Sequence, residues 1–309
     1  MTVFEVPPLL PTKTVCIGAV SDLSIGGLGL RLSMAPGMRA GLRPPLGDFT
    51  GPAGLLPAIE LSVSWAKHLH GSSGQLVFDS GALWQLYAGG EQWTFDFCTP
   101  VLGAAPYKRM ITNHDFSAGE ILLNLQYFDA DAPVYPLEYP LDEVLITHRL
   151  MYDSGIEIHG CGLADATGRG TLLVGHSGAG KSTTARLWNQ SVRSVVLSDD
   201  RIILRVHKDG VWMYGTPWHG DEKLASPARC RLDRVLVLEH GSFNFARPMG
   251  ASQAVSELLA RSFVPMHSAD AVREAITVLE AAAAQAPCYR FAFVPDFTAV
   301  DYVAGLHAN

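Results

Sequence analysis

Nine consecutive residues, Gly175-His176-Ser177-Gly178-Ala179-Gly180-Lys181-Ser182-Thr183, meet the phosphate-loop pattern G-x-x-x-x-G-K-[ST] at every required position. Its glycines let the backbone curl around a polyphosphate that a Cβ would hold off. The exposed backbone N–H groups and the positive end of the following helix then hold the anion. Lys181 is expected to reach the terminal phosphates, and the Ser182 hydroxyl to ligate Mg²⁺. The candidate nucleotide-binding residues are therefore Gly175, Ser177, Gly178, Ala179, Gly180, Lys181, Ser182 and Thr183.

A second chemical signal follows one helix later. Val195-Val196-Leu197-Ser198-Asp199-Asp200 is an apolar run that ends in two carboxylates. In an α/β unit the strand after the loop helix runs the same way as the loop strand, so its carboxyl end lies on the phosphate edge. One carboxylate there can hold Mg²⁺, directly or through water. The other can take a proton from an attacking hydroxyl or water. The metal ion relieves the repulsion between the two. A single helix between Lys181 and the acidic pair is a shorter separation than in many phosphate-loop GTPases and motor-type ATPases.

These residues need elements to position them. Thr171 to Val174 reads as the loop strand, with a helix-compatible segment from Thr184 to Trp188. Upstream, Leu141, Val144, Leu145, His148 and Met151 recur at helical spacing, with Pro140 in the first turn and Gly155 as the stop. Strands are expected at Ile156 to His159, Ser194 to Leu197, Ile202 to Val206, Val211 to Tyr214 and Arg234 to Leu238. Helices are expected near Ala251 to Arg261 and over Ala269 to Ala284, with a closing strand at Tyr289 to Val294. The N-terminal half reads as β-rich. It has strands at Val15 to Val20 and Glu120 to Tyr127, and a hairpin in which Trp93, Phe95 and Phe97 share one face. Residues 34–57, rich in Pro and Gly, read as irregular. The expected organisation is a β-rich domain over residues 1–137 and an α/β domain over 138–309.

Bulk properties narrow the class. The chain of 309 residues is 48% hydrophobic and 17% charged, which suits a globular protein with a sizeable core. A formal net charge of −7 argues against nucleic acid as a partner. The opening residues have no basic, apolar signal pattern, and no apolar run reaches membrane-span length. Five dispersed cysteines without a C-x-x-C pair read as reduced thiols in a cytoplasmic protein, and argue against a zinc site.

His159-Gly160, the loop Gly175 to Ser182 and Ser198-Asp199-Asp200-Arg201 together resemble HPr kinase/phosphorylase and its relatives. The resemblance is nearest to the smaller HPr-kinase-related proteins of bacterial gene clusters, including those that phosphorylate lasso-peptide precursors. Gly215 to Asp221 and Pro287 to Phe291 look like further motifs of that subgroup, and the likeness spans roughly residues 138–309. It implies a phosphate-loop core with a mixed sheet of the kind shared with phosphoenolpyruvate carboxykinase. It implies that Asp199 is the base, that Asp200 with Ser182 serves Mg²⁺, and that His159 lies near the phosphates. The chain departs from the true HPr kinases at Thr183, where they carry glutamate. The family's later signature for the reverse reaction is not recognised here either, so neither that reaction nor HPr as acceptor follows.

The loop carrying Trp218, His219 and Asp221 reads either as a lid over the acceptor or as a turn with Trp218 in the core. Lys223, Arg229 and Arg231 are the candidates for neutralising a transferring phosphoryl group. The expected activity is an ATP- and Mg²⁺-dependent kinase acting on a hydroxyl, foremost a serine of a protein or peptide. The alternatives are a small-molecule kinase and a nucleotide-binding module without transfer activity. The family often forms homo-oligomers, and no membrane partner is expected.

Overall fold

Short extended segments with one buried face build most of this protein. The computed structural model describes residues 15–51, 57–81, 83–176, 178–191 and 194–306. The chain divides into two compact units. One holds the segment up to Ser24 together with Gly29–Asp142, and the other holds Ile25–Leu28 together with the chain from Glu143 onward.

The first unit contains β1 (Val15–Ile17), β2 (Val20–Ile25), β3 (Leu28–Met34), β4 (Ala40–Leu42), β5 (Ile59–Ala66), β6 (Gln75–Asp79), β7 (Trp84–Gly89), β8 (Gln92–Thr99), β9 (Gly103–Asn113) and β10 (Ala118–Asn124). β1 pairs with β4, and the others form a sheet in the order β2-β3-β5-β10-β9-β8-β7-β6. Along β3, Leu28, Leu30, Leu32 and Met34 are buried at alternate positions, as the pleat requires. Phe95 and Phe97 are fully buried, and Asp96 between them is buried too, on a bidentate ion pair with Arg109. Lys108 is also fully buried; its Nζ donates to the Tyr135 and Pro136 carbonyls at 3.2 and 3.1 Å. Among the described residues of 34–57, expected to be irregular, lie β4 and one 3₁₀ turn at Leu46–Phe49, and residues 52–56 fall outside the described set.

The second unit contains α1 (Leu141–Leu150), β11 (Gly155–Asp165), β12 (Arg169–Val174), α2 (Lys181–Gln190), β13 (Ser194–Ser198), β14 (Arg201–His207), β15 (Gly210–Gly215) and β16 (Arg229–His240). There follow β17 (Phe245–Pro248), α3 (Ala251–Leu259), β18 (Ser262–Phe263), α4 (Ala269–Gln285), β19 (Cys288–Phe293) and α5 (Phe297–Ala304). Its sheet is mixed, in the order β12-β11-β14-β15-β16-β19-β17, with β13 and β18 also on β11. β16 pairs with β15 and, in parallel, with β12, so part of the sheet closes on itself. The buried run Val235–Leu238 reads as continuous apolar sequence because both faces are covered. One face packs Val235, Val237, Leu172 and Val174 under α3 and α4. The other packs Leu236, Leu238, Leu173 and Cys161 with residues of α2 and α5. Local signals set the helix starts: Ser268 Oγ caps α4 at Ala271 N, and Asp296 Oδ1 caps α5 at Thr298 N.

Three expectations need correction. The stop after α1 is not Gly155, which opens β11; the chain turns at Ser154, whose φ is 47°. His159 does not end its strand but lies in the middle of an eleven-residue β11. The chain does not close on a strand, because α5 follows β19. Among the described residues no helix is long and apolar enough to cross a membrane.

Candidate functional site

The chain enters α2 from β12 through a turn that only glycine can make. Gly180, at the helix N-cap, has φ 97°, and a Cβ there would come within 2.6 Å of the Phe293 ring. Only glycine satisfies both demands. Lys181 opens α2 with its side chain largely buried, and its Nζ donates to the Gly175 carbonyl at 2.9 Å. The ammonium is thus folded back along the loop. Burial lowers its pKa; the Asp200 charge works against that shift, while Arg261 and Arg201 add to it. Outside the loop, His240 at the end of β16 bonds the Gly178 carbonyl at 2.9 Å. Ser182 and Thr183 follow on the first turn of α2, half-buried, and Ser177 lies outside the described residues.

Strand β11 sets the spacing to the acidic pair. Both β12 and β13 run antiparallel to β11, on its opposite edges. Gly160 is registered with Val174 on one side, and its N–H donates to the Asp200 carbonyl at 3.0 Å on the other. The carboxyl ends of the two strands therefore lie on one edge of the sheet, one strand apart. The intervening strand precedes the loop strand in sequence and runs against it.

The two aspartates then part ways. Asp200 keeps about a quarter of its side chain exposed, and His159 Nε2 lies 3.0 Å from its Oδ1. Arg201 grips the other oxygen. Burial disfavours the Asp200 carboxylate, but the His159 hydrogen bond, then the charges of Arg201, His159 and Lys181, outweigh it and lower its pKa. Arg201 is in turn braced by Glu143 Oε1 at 2.9 Å and Glu157 Oε1 at 3.3 Å, and lies 4.3 Å over the Phe263 ring. Burial, reinforced by Glu143, pushes the Glu157 carboxyl well above the ordinary range, and Thr147 Oγ1 donates to it at 2.7 Å.

Asp199, expected as the base, is 1% exposed. Its Oδ1 accepts the Gly220 N–H at 2.9 Å and its Oδ2 the Glu222 N–H at 3.0 Å. In this arrangement it anchors the segment between β15 and β16 and is not presented to an acceptor. That segment also answers the question over Trp218. Trp218 is 8% exposed, and its backbone carbonyl accepts from Ser198 Oγ at 3.1 Å.

The basic candidates separate as well. Arg231 pairs with Arg169 at the start of β12, the edge opposite the glycine loop, and Arg229 stacks 5.0 Å over Trp212. Neither is brought to the loop. Sequence reasoning missed Arg261: its charge acts on Lys181, yet no motif marks it. The signal that could have found it was only its place at the end of an amphipathic helix.

No protein-family model matches this chain, and no curated protein matches it. Among solved structures it is similar to the HPr(Ser) kinase/phosphatase from Coxiella burnetii, with a TM-score of 0.28 and 11% identity over 48% of this chain and 95% of that one. A likeness of that degree carries no argument about the site, which stands on its own residues and their geometry.

Proposed function

We propose that the chain is an ATP-dependent kinase that phosphorylates a hydroxyl group, foremost a serine of a protein or peptide. The observation that carries this reading is the His159–Asp200 hydrogen bond, 3.0 Å long, set one strand away from the phosphate loop by the register of β11. A phosphate grip alone binds nucleotide. A grip with an oriented imidazole beside it can also take a proton from an incoming hydroxyl.

The loop amides and Lys181 hold the β- and γ-phosphates once Nζ leaves the Gly175 carbonyl. The acceptor oxygen attacks the γ-phosphorus, the bond to the β,γ-bridging oxygen breaks, and ADP leaves with that electron pair. The hydroxyl proton passes to His159. Asp200 holds the imidazole by Nε2, which leaves Nδ1 as the accepting atom of the neutral ring. This assigns the proton to His159 and not to Asp199, whose oxygens are engaged by two backbone amides.

Mg²⁺ fits the donor set. Ser182 Oγ and the Asp200 carboxylate are hard oxygens, and each Asp200 oxygen keeps a lone pair beyond the one given to His159 or Arg201. Bound there with the nucleotide, Mg²⁺ would supply neutralisation of the phosphate charge. Catalysis then rests on positioning and charge compensation.

Titration calorimetry with MgATP, followed by mass-spectrometric detection of transfer to a serine-peptide library and a metabolite panel from one ATP stock, tests the reading. Phosphopeptides support it. Phosphorylated metabolites alone move the acceptor to a small molecule. Tight binding without transfer to any acceptor leaves a nucleotide-binding module, and absence of binding removes the proposal altogether.

A further inference from the structure

The lane that β12 occupies beside β11 does not end where the phosphate loop leaves it. β18 enters the same lane. Gly160 is registered with Val174, and the next residue, His159, donates its N–H to the Arg261 carbonyl at 2.7 Å. Ile158 and Glu157 then pair with Ser262 and Phe263. Successive N–H groups of a strand point to opposite edges. The Gly160 N–H goes to Asp200 and the His159 N–H to Arg261, so the two bonds confirm that Arg261 stands on the phosphate-loop side. His159 is flanked across the sheet by Arg201 on one edge and Arg261 on the other.

The Arg261 side chain is mostly buried but not spent. Its Nη1 donates to the Glu257 carbonyl and to Glu257 Oε2, each at 2.6 Å. Its Nε is buried with no hydrogen-bond partner among the described residues. Glu257 also holds Arg290, and Arg290 holds Glu239 Oε1 at 2.6 Å. A chain of alternating charge, Arg261–Glu257–Arg290–Glu239, thus links α3 to β19 and to the end of β16, the strand beside β12. A buried guanidinium with an unused donor costs free energy unless something completes it. An oxygen of a phosphoryl group has the charge and the acceptor sites to do so.

We infer that Arg261 is the side chain that neutralises the transferring phosphoryl group, with Glu257 and Arg290 setting its position. The inference rests on the kinase reading above. In a phosphoryl transfer with little covalent assistance from the protein, charge builds on the γ-phosphoryl oxygens, and a basic side chain there acts more on the transition state than on bound nucleotide. Arg261 answers to that role by position. It adjoins His159, and its charge is felt at Lys181.

The experiment compares the full-length chain with Arg261→Ala, Arg261→Lys and, as an arginine-loss control, Arg273→Ala on the exposed face of α4. The probes are MgADP alone and MgADP with aluminium fluoride, a planar mimic of the transferring phosphoryl. Arg261→Ala is expected to leave MgADP affinity within about threefold and to weaken the aluminium fluoride complex by about thirtyfold or more. Arg273→Ala is expected to change neither. Equal loss for both probes, or no loss for either, overturns the assignment. If Arg261→Ala melts below the assay temperature, Arg261→Lys decides: selective weakening of the fluoride complex supports the role, and unchanged binding overturns it. If the unsubstituted chain fails to bind MgADP, the kinase reading itself falls. If it binds and only the arginine result is negative, the kinase reading stands without Arg261.

Discussion

The Gly220 amide donates to Asp199 Oδ1 at 2.9 Å, and a Cβ on Gly220 would stand 3.0 Å from the other oxygen of that carboxylate. The approach is close enough that a methyl group must push the loop or the aspartate aside. Gly220→Ala is expected to lower stability by about 1–3 kcal/mol, read as a shift of the denaturation midpoint. An unchanged midpoint would show that the loop yields to the added methyl without cost.

Adjacent carboxylates should respond in opposite ways to the same substitution. Asp199 faces two N–H donors, so Asn would set its own NH₂ against one of them. Asp199→Asn is expected to cost about 1–3 kcal/mol of stability. Asp200→Asn should leave stability nearer the parent value and remove most phosphoryl transfer, because the imidazole of His159 loses its orienting anion. Melting curves and transfer assays on the same preparations check both halves. Full transfer by the Asp200 variant would show that Asp200 neither orients the imidazole nor serves the metal.

His159→Gln keeps a hydrogen-bonding group beside Asp200 and removes the basic nitrogen. Transfer is expected to fall by about a hundredfold or more, with MgATP affinity within about threefold. Calorimetry beside a transfer assay makes the distinction. Parallel loss of binding and transfer would mean that the imidazole is part of the nucleotide grip and not of the proton step.

Lys181→Met should act on binding itself. The ammonium is the one flexible cation of the loop, held in reserve on the Gly175 carbonyl. Its removal is expected to weaken MgATP binding by about a hundredfold, ~2.7 kcal/mol. Affinity retained within threefold would show that the loop amides carry the grip alone.

Lys108 supplies a pH test in the β-rich unit. Burial is the main cause that lowers its pKa from 10.5 to about 8, against the raising influence of Glu138 and Asp142. Between those values the unfolded chain binds the extra proton, so this group makes stability rise with pH from about 8 to about 10.5 and withholds that contribution below pH 8. The gain has an upper bound of about 3 kcal/mol. Chemical denaturation of the parent minus Lys108→Met, at pH 7.5 through 10, isolates its contribution from that of every other group. A difference that stays flat with pH would show that Lys108 titrates normally.

Legibility in the sequence followed locality. β12, the glycine loop and the start of α2 are contiguous, and each declares itself by apolar run, glycine spacing and helix-compatible residues. α3 and α4 are legible for the same reason, through the 3.6-residue period of one buried face. The sequence shows β11 only as far as His159, because Gly160 and Gly162 weaken a strand signal, although the strand runs on to Asp165. The burial of Asp199 was invisible, since it depends on amides twenty-one and twenty-three residues away. Arg261 was invisible for a similar reason: nothing near it in sequence says that β18 will take up the lane left by β12. The split of Arg229 and Arg231 from the loop follows from the parallel register of β16, which no local pattern encodes.

β11 is a ruler between the glycine loop and the Asp199-Asp200 pair. One of its glycines is registered with the loop strand and bonded to Asp200, and its histidine stands between two arginines. The distance from the glycine loop to His159 and Asp200 is therefore set by strand spacing, which side-chain substitution cannot stretch. If the proposed kinase reading holds, such a chain is free to change its acceptor only through the loops around that edge. Relatives that act on different acceptors should vary there and keep the ruler.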